Sequence, residues 1–353
     1  MHIIFLSERT LEVVDYAFAS SDFEIILDTL VPQTSTFNIN RPKIKATIGD
    51  YLTIKENDYF YIGIISGIEE AKEGLLKISS IDFLSKFDVE VPITSFTGNI
   101  SQFIINLISA HFKTNSDSKQ NMPYLQTESF ISKTGSLVFE ADKKNSITKL
   151  VQEFSKTYGI RLDYELVITE GRFTNIKVNV VQVDHGVVMR SDLGTISNLN
   201  VADTNQNTLN KIIYYPKAGN TIYKTAINYY LLNDGTVSTD GSSNKRIERV
   251  NFKCEYFADS DYSSLLTKAT SALVDSSLEH YIGFDFSYSA NRIESLNLLK
   301  LGTFVKFITP NKTYETIVSK ITYKGTFKQA TIVLGEYRIS LTDKIKLFNR
   351  RRT

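Results

Sequence analysis

Apolar and polar positions alternate over short stretches at both ends of the chain and fall at helical spacing in its middle. Residues 23–27 and 36–40 alternate, and Arg41-Pro42 ends the second run. A strand over 51–54 follows Gly49-Asp50, and the polar turn 55–58 leads into a longer strand over 59–68. A turn at 71–74 precedes another strand over 75–81. Hairpin-length spacing with polar turns predicts a sandwich or small barrel.

The period then changes. Ile100, Phe103, Ile104, Leu107, Ile108 and Phe112 share one helical face, with Asn99 and Gln102 as a capping pair at its start. After the polar loop 114–121, a second helix carries Ile147, Leu150, Val151 and Phe154 and stops at Gly159. Strands are predicted over 161–168 and 175–183. Strand pattern returns over 211–215 and 223–232. The stretch 233–245 holds Val237 as its one apolar residue and reads as an exposed hairpin tip. A third helix starts near Asp261, with Tyr262, Leu265, Leu266, Ala269, Ala272 and Leu273 on one face. Strands over 283–288, 303–308, 314–323 and 329–334 follow.

The reading is a mainly-β α+β chain: two related β-barrel-like modules with an α+β insert between them. Residues 1–92 with 190–216 form the first module and 93–189 the insert. Residues 217–340 form the second, with its helix at about 261–278 and its tip at 233–245. A basic tail spans 341–353, and Lys344, Lys346, Arg350, Arg351 and Arg352 are its candidate partner contacts.

Composition narrows the function. Of 353 residues 42% are hydrophobic and 22% charged, a globular balance, and the length argues for more than one domain. Forty Lys+Arg against 39 Asp+Glu give a net charge of +1, which offers no electrostatic case for stable binding to nucleic acid or anionic membrane. A single cysteine, Cys254, excludes an intrachain disulfide. Four histidines, far apart in sequence, leave little for a metal site, and no metal or cofactor is expected. The apolar runs are too short for a membrane-spanning helix, and the N-terminal one is too short for a signal peptide, so synthesis in the cytoplasm is expected.

No catalytic motif is present: no G-x-S-x-G, H-E-x-x-H, P-loop or G-x-G-x-x-G. Asp184-His185-Gly186 reads as a polar turn. Cys254, in the alternating run 251–256, reads as a buried core thiol. Glu69-Glu70 reads as a solvated turn. Neither that pair nor Glu140 with Asp142 has a separation that sequence can fix, as glycoside hydrolysis would require. The chain is read as a non-enzyme.

One pattern rises above fold class. At an offset of 253, Gly49 meets Gly302, Tyr61 meets Tyr314, Ile64 meets Ile317, Ser66 meets Ser319 and Ile68 meets Ile321. Tyr51/Phe304, Leu52/Val305, Ile54/Phe307 and Ile65/Val318 keep the apolar alternation between them. In each copy a Gly-led strand, a polar turn, an aromatic-led strand and a last strand follow in order. Equivalent modules suit quasi-equivalent positions in an assembly, and three such chains would present six similar modules.

With these two modules, and with Ser136-Leu137-Val138-Phe139-Glu140 leading to a helix over 147–158 and then Gly159-Ile160-Arg161-Leu162, the chain resembles the phage tail hub proteins. These are the baseplate hub of contractile tails and the N-terminal structural region of siphophage tail-associated lysins. The resemblance covers essentially the whole chain as organisation. It implies a homotrimer at the distal end of the tail tube, docked on a hexameric ring of distal tail protein, with a channel that phage DNA crosses. It also implies contacts with tape measure and receptor-binding proteins, a virion location and no stable membrane anchor. Two other readings stay open: a cell-wall glycan or peptidoglycan hydrolase or its targeting module, and the hub of a secretion-type contractile injection machine.

Overall fold

Start and stop signals in the sequence set the helices. The side chain of Asn99 accepts the amide of Gln102 (3.1 Å) and opens α1 (Ile100–Phe112). Ser146 accepts the amide of Lys149 (3.1 Å) and opens α2 (Ile147–Tyr158). That helix ends at Gly159 in the left-handed region (φ 63°), a conformation that side chains with a Cβ disfavour. The third helix, α3 (Leu265–Ser277), is entered through a 3₁₀ turn, Asp259–Ser264.

The computed structural model describes residues 1–29, 32–56, 59–72, 74–91, 95–129, 131–137, 145–182, 187–203, 209–233, 236–246, 251–277, 280–287 and 299–335. The strands before α1 are β1 (His2–Leu6), β2 (Val13–Phe18), β3 (Glu24–Asp28), β4 (Thr34–Ile39), β5 (Tyr51–Glu56), β6 (Tyr59–Lys72), β7 (Leu75–Asp82), β8 (Glu90–Val91) and β9 (Phe96–Asn99). The insert adds β10 (Leu125–Ser129), β11 (Thr134–Leu137) and β12 (Asn145–Ser146), then, after α2, β13 (Ile160–Thr169) and β14 (Arg172–Gln182). Next come β15 (Val187–Arg190), β16 (Ile196–Asp203), β17 (Lys211–Pro216), β18 (Ile227–Leu231), β19 (Val237–Ser238) and β20 (Phe252–Phe257). After α3 lie β21 (His280–Ser287), β22 (Phe304–Ile308), β23 (Thr313–Lys324) and β24 (Gln329–Leu334).

A 13-stranded sheet dominates, in the order β16-β21-β24-β23-β3-β4-β7-β6-β5-β1-β2, with β22 beside β23 and β15 beside β22. Every pairing in it is antiparallel except β15 with β22. The mainly-β α+β class is therefore as the sequence pattern predicts. The two β-modules, however, are parts of one sheet rather than separate closed barrels, because β3 and β4 pair with β23 and β7 and lace the two halves together. Among the described strands the ladder itself does not close, although Ala19, just after β2, bridges back to Ile39 of β4 and the Ser20 amide donates to the Asn38 carbonyl (2.8 Å).

The segment 190–216, grouped with the first module from sequence, pairs elsewhere. Strand β16 lies against β21, and β17 lies in a four-stranded sheet, β19-β18-β17-β20. The periodicity predicts a strand over 211–215 but none over 196–203, and it does not choose a strand's neighbours.

Three cores result. The large sheet buries Phe5, Phe37, Tyr61, Phe284, Phe307 and Ile332 in one core shared by both modules. The insert packs α1, α2 and the three-stranded sheet β10-β14-β13 against the opposite face of β1, β5 and β6, with Leu6, Tyr51 and Ile62 entering its core. Strand β5 is therefore buried on both faces: Leu52 and Ile54 point into the first core and Tyr51 into the second. The third core joins Ile212, Tyr214, Tyr229, Leu231 and Phe257 to Leu265, Ala269 and Leu273 of α3.

Candidate functional site

The two copies of the internal repeat fold in the same register. In the first, β5 and β6 pair Tyr51 with Ile64, Leu52 with Gly63 and Ile54 with Tyr61. In the second, β22 and β23 pair Phe304 with Ile317, Val305 with Thr316 and Phe307 with Tyr314, each position advanced by 253. The loops entering the hairpins match bond for bond. The Gly49 amide donates to Ile65 (2.9 Å), the Ile65 amide to Asp50 (2.9 Å) and the Asp50 amide to Thr47 (3.1 Å). The Gly302 amide donates to Val318 (2.8 Å), the Val318 amide to Thr303 (2.9 Å) and the Thr303 amide to Lys300 (3.1 Å). Gly49 (φ 100°) and Gly302 (φ 77°) both take the positive φ that this turn requires.

Ser66 and Ser319 both fall at β-bulges, between Ile65 and Gly67 and between Val318 and Lys320. A bulge bends the long strand, so its first half pairs with the preceding strand and its second half with the following one. The environments of the two serines differ. Ser66 is exposed, whereas Ser319 is buried and its hydroxyl donates to the Val333 carbonyl (3.1 Å). Ile68 pairs with Ile78 and Ile321 with Ile332, so the last strand of the second copy is slipped by one residue relative to the first. Tyr61 hydrogen bonds to Ser80 (2.9 Å), while Tyr314 packs beside His280 (5.2 Å) under the Lys312 ammonium (4.6 Å).

Where the halves meet, β23 pairs with β3 from Lys320–Asp28 to Lys324–Glu24, and β4 pairs with β7 from Thr34–Ile81 to Ile39–Leu76. An aromatic cluster spans this region: Tyr59 lies 4.2 Å from Phe327 and 4.7 Å from Tyr323, and Phe23 lies 5.1 Å from Phe327. The insert is tied to both halves. Tyr164 of β13 donates to Asp82 at the end of β7 (2.8 Å), and Lys300, ahead of Gly302, pairs with Asp163 (2.8 Å). Arg161 also pairs with Asp163 (3.3 Å). Burial raises the Asp82 carboxyl to about 6, and Asp163 adds to the rise, while bonds from the Leu84 amide and Tyr164 oppose it. Tyr51 and Tyr124 share a buried hydroxyl–hydroxyl bond (2.7 Å) that fastens β5 to the insert. Burial pushes the Tyr124 phenol up to about 12.

Chemistry is sparse. Among the described residues no cluster of His, Cys, Asp and Glu could hold a metal, and no helix is long and apolar enough to cross a membrane. Cys254, expected in a core, is exposed. It sits on β20, an edge strand whose partner β17 aligns it with Ile213, on the face turned away from α3. Tyr215 (40% exposed), Phe252 (53%) and Tyr256 (70%) share that face. Glu69 and Glu70 lie within β6, which runs on to Lys72, rather than in a turn, and Glu69 faces Lys77. The tip is not wholly loop: Val237 and Ser238 add β19 to β18, and the Arg246 guanidinium stacks on Tyr230 (4.0 Å). Lys344, Lys346, Arg350, Arg351 and Arg352 lie outside the described residues. So do Asp184-His185-Gly186, Glu140 and Asp142.

No protein-family model matches the sequence, and no curated protein does. Solved structures do. The tail protein from Neisseria meningitidis MC58 is similar with a TM-score of 0.57 at 13% identity, over 95% of this chain and 96% of that one. The prophage tail protein gp18 from Listeria monocytogenes EGD-e is similar with a TM-score of 0.55 at 11% identity, over 100% and 99%. A chain of the phage P2 baseplate in its activated conformation is similar with a TM-score of 0.52 at 11% identity, over 96% and 99%. Coverage is near complete in both directions, so the likeness takes in the paired hairpins and the insert together: this chain has, from end to end, the fold of phage tail and baseplate proteins.

Proposed function

We propose that the protein is a structural hub at the distal tip of a phage tail, assembled as a homotrimer. The observation that carries this reading is the pair of hairpins in one register, set in a chain with the fold of tail and baseplate proteins. Three copies would offer six nearly equivalent hairpin modules, which suits docking on a hexameric ring of distal tail protein. Fold alone does not specify function, and the repeat supplies the additional argument.

The role is mechanical. The trimer closes the tail tube, holds contacts with tape measure and receptor-binding proteins, and opens as a passage for phage DNA. Its place is then the virion tail tip. The near-neutral chain, at +1, fits a channel that DNA crosses without being held. The test is the mass of the purified protein by light scattering. A value near 120 kDa, three chains of 40.0 kDa, supports the hub. A chain that stays at 40 kDa both alone and with a purified distal tail ring overturns it.

A further inference from the structure

The two halves of the large sheet repeat one strand arrangement. Strands β4, β7, β6 and β5 lie side by side in the first half, and β21, β24, β23 and β22 in the second. Their rungs coincide. Ile68, Ile78 and Phe37 stand in one row across β6, β7 and β4, and Ile321, Ile332 and Phe284 in one row across β23, β24 and β21. One position back along the last strand, Thr36 of β4 faces Glu24 of β3, and Gly283 of β21 faces Asn200 of β16. Strand β16 is therefore the counterpart of β3, with Asn200 at the place of Glu24 and Val201 at that of Ile25.

The two counterparts have different neighbours. The outer edge of β3 holds the second half of β23, from Lys320–Asp28 to Lys324–Glu24. At the offset of the repeat, that stretch of β23 corresponds to residues 67–71 of β6. Among the described residues no strand pairs with that edge of β6, and none with the outer edge of β16.

Burial differs at the same places. Ile25 is fully buried, whereas Val201, opposite the fully buried Ile282, is 36% exposed. Ser319 is buried beneath Thr29, whose amide (2.9 Å) and hydroxyl (3.1 Å) donate to its carbonyl, whereas Ser66 is exposed. Ile321 is buried and Ile68 half-buried, and Tyr323 is buried while Glu70 is exposed. Charge agrees: Lys324 pairs with Glu24 (2.9 Å), and their counterparts, Ala71 and Asn200, are both uncharged, so the ion pair is absent from both edges together. Two different unpaired edges on one chain make a head-to-tail contact, which a rotation can close into a ring.

We propose that the outer edge of β16 pairs, antiparallel, with residues 67–71 of β6 in a second copy of this chain, in the register that β3 and β23 use. Val201 then faces Glu70 of the second copy, Asn200 faces its Ala71 and Ala202 its Glu69. The pairing presupposes the homotrimer and deepens it by naming where the copies join. Made three times, the contact joins three large sheets into one closed wall of six similar units. The methylenes of Glu70 cover Val201, and the carboxylate stays at the rim.

Disulfide trapping tests this with Val201→Cys, Glu70→Cys and the double variant, each in a Cys254→Ser background. Facing Cα atoms in an antiparallel pair stand about 4.5–5.5 Å apart, within disulfide range. The oxidised double variant should give linked species that stop at three chains, and neither single variant should link. Links in a single variant overturn the proposal in favour of a two-fold contact, and a disulfide within one chain also overturns it. A protein of trimer mass whose double variant stays unlinked overturns this seam and leaves the trimeric hub standing. A protein that stays monomeric and unlinked, with and without a distal tail ring, overturns both. Amide hydrogen exchange in the unsubstituted chain guards against cysteines that disturb the edge. Residues 67–71 and 200–203 should exchange roughly ten-fold slower in the trimer than in the diluted monomer, with 320–324 unchanged. Equal exchange in the two forms overturns the pairing.

Discussion

Gly49 and Gly302 are structural counterparts: each donates its amide across an identical loop to the residue just ahead of a β-bulge, Ile65 in one case and Val318 in the other. A Cβ at Gly49 would lie 3.0 Å from Glu8 Oε2, and one at Gly302 would lie 3.2 Å from Ser155 Oγ. The flexible neighbours can yield, so the backbone sets most of the cost. Gly49→Ala and Gly302→Ala should each destabilise by about 1–2 kcal/mol in urea titration, with unchanged m-values. An effect at one glycine and none at the other would show that the two loops are not energetically equivalent.

Asp82 gives a pH signature. Its folded value of about 6 lies above the ordinary 3.8 of an aspartate, chiefly through burial. The native state therefore holds this proton more tightly than the unfolded chain does. The stability so gained is fully present below about pH 4 and is lost as pH rises through 6. The loss should total roughly 2–3 kcal/mol and level off above pH 7. Asp22, lowered by bonds from Ser20 and Asn38, and Asp259, lowered by the Thr221 amide and hydroxyl, act in the opposite sense and lose stability only below about pH 4. Denaturation midpoints between pH 4.5 and 7.5 should fall with rising pH in the parent, and the slope should flatten in Asp82→Asn.

The helix caps make local predictions. Asn99→Ala removes the acceptor for the Gln102 amide and should cost about 1 kcal/mol. Gly159→Ala forces a side chain into the left-handed region at the end of α2 and should cost about 1 kcal/mol. Thermal melts followed by circular dichroism read both. Asn99→Asp, which keeps an acceptor oxygen and places charge at the helix N-terminus, should restore most of the first loss.

Cys254 should react with a thiol reagent in the native protein to one equivalent per chain, without a lag for unfolding. A rate that rises only when denaturant is added would show that the aromatic face around Tyr215, Phe252 and Tyr256 is covered in solution. Comparing the rate at dilutions above and below any assembly transition would then show whether another copy covers it.

The helices were legible because period and punctuation agree: the apolar stripe from Ile100 to Phe112 has a capping Asn99, and that from Ile147 to Phe154 has Gly159. The hairpins were legible because Gly, Tyr and Ser recur at fixed offset, and the matching loop bonds go with the shared glycine at positive φ, the other turn residues being different. Strand partnership was not legible. Nothing in the alternation of residues 196–203 distinguishes β21 from any first-module strand as a neighbour, since long-range pairing depends on where the intervening chain goes. Cys254 is exposed, against the expectation from its alternating run, for a related reason. Alternation reveals that a strand has two faces, but only the placement of α3 decides which face is covered. The Asp82–Tyr164 and Lys300–Asp163 links left no sequence signal, because each joins residues more than 80 positions apart.

The lacing of the two halves through β3 and β4 also determines how the protein would tear. Strand β23 holds β3 at five registered positions and β7 holds β4 at six, but β3 and β4 are registered to each other only at Glu24–Thr36 among the described residues. The ladder is thinnest there, although the Ile26 amide adds a bond to the Ser35 hydroxyl (3.0 Å) and a common core lies beneath. Under tension, a sheet unzips where the fewest rungs resist. A pull that separates the two hairpins would open this seam first and leave each hairpin whole, with β3 still on one flap and β4 on the other. The insert, bonded to both flaps, would be the tether that limits how far they part.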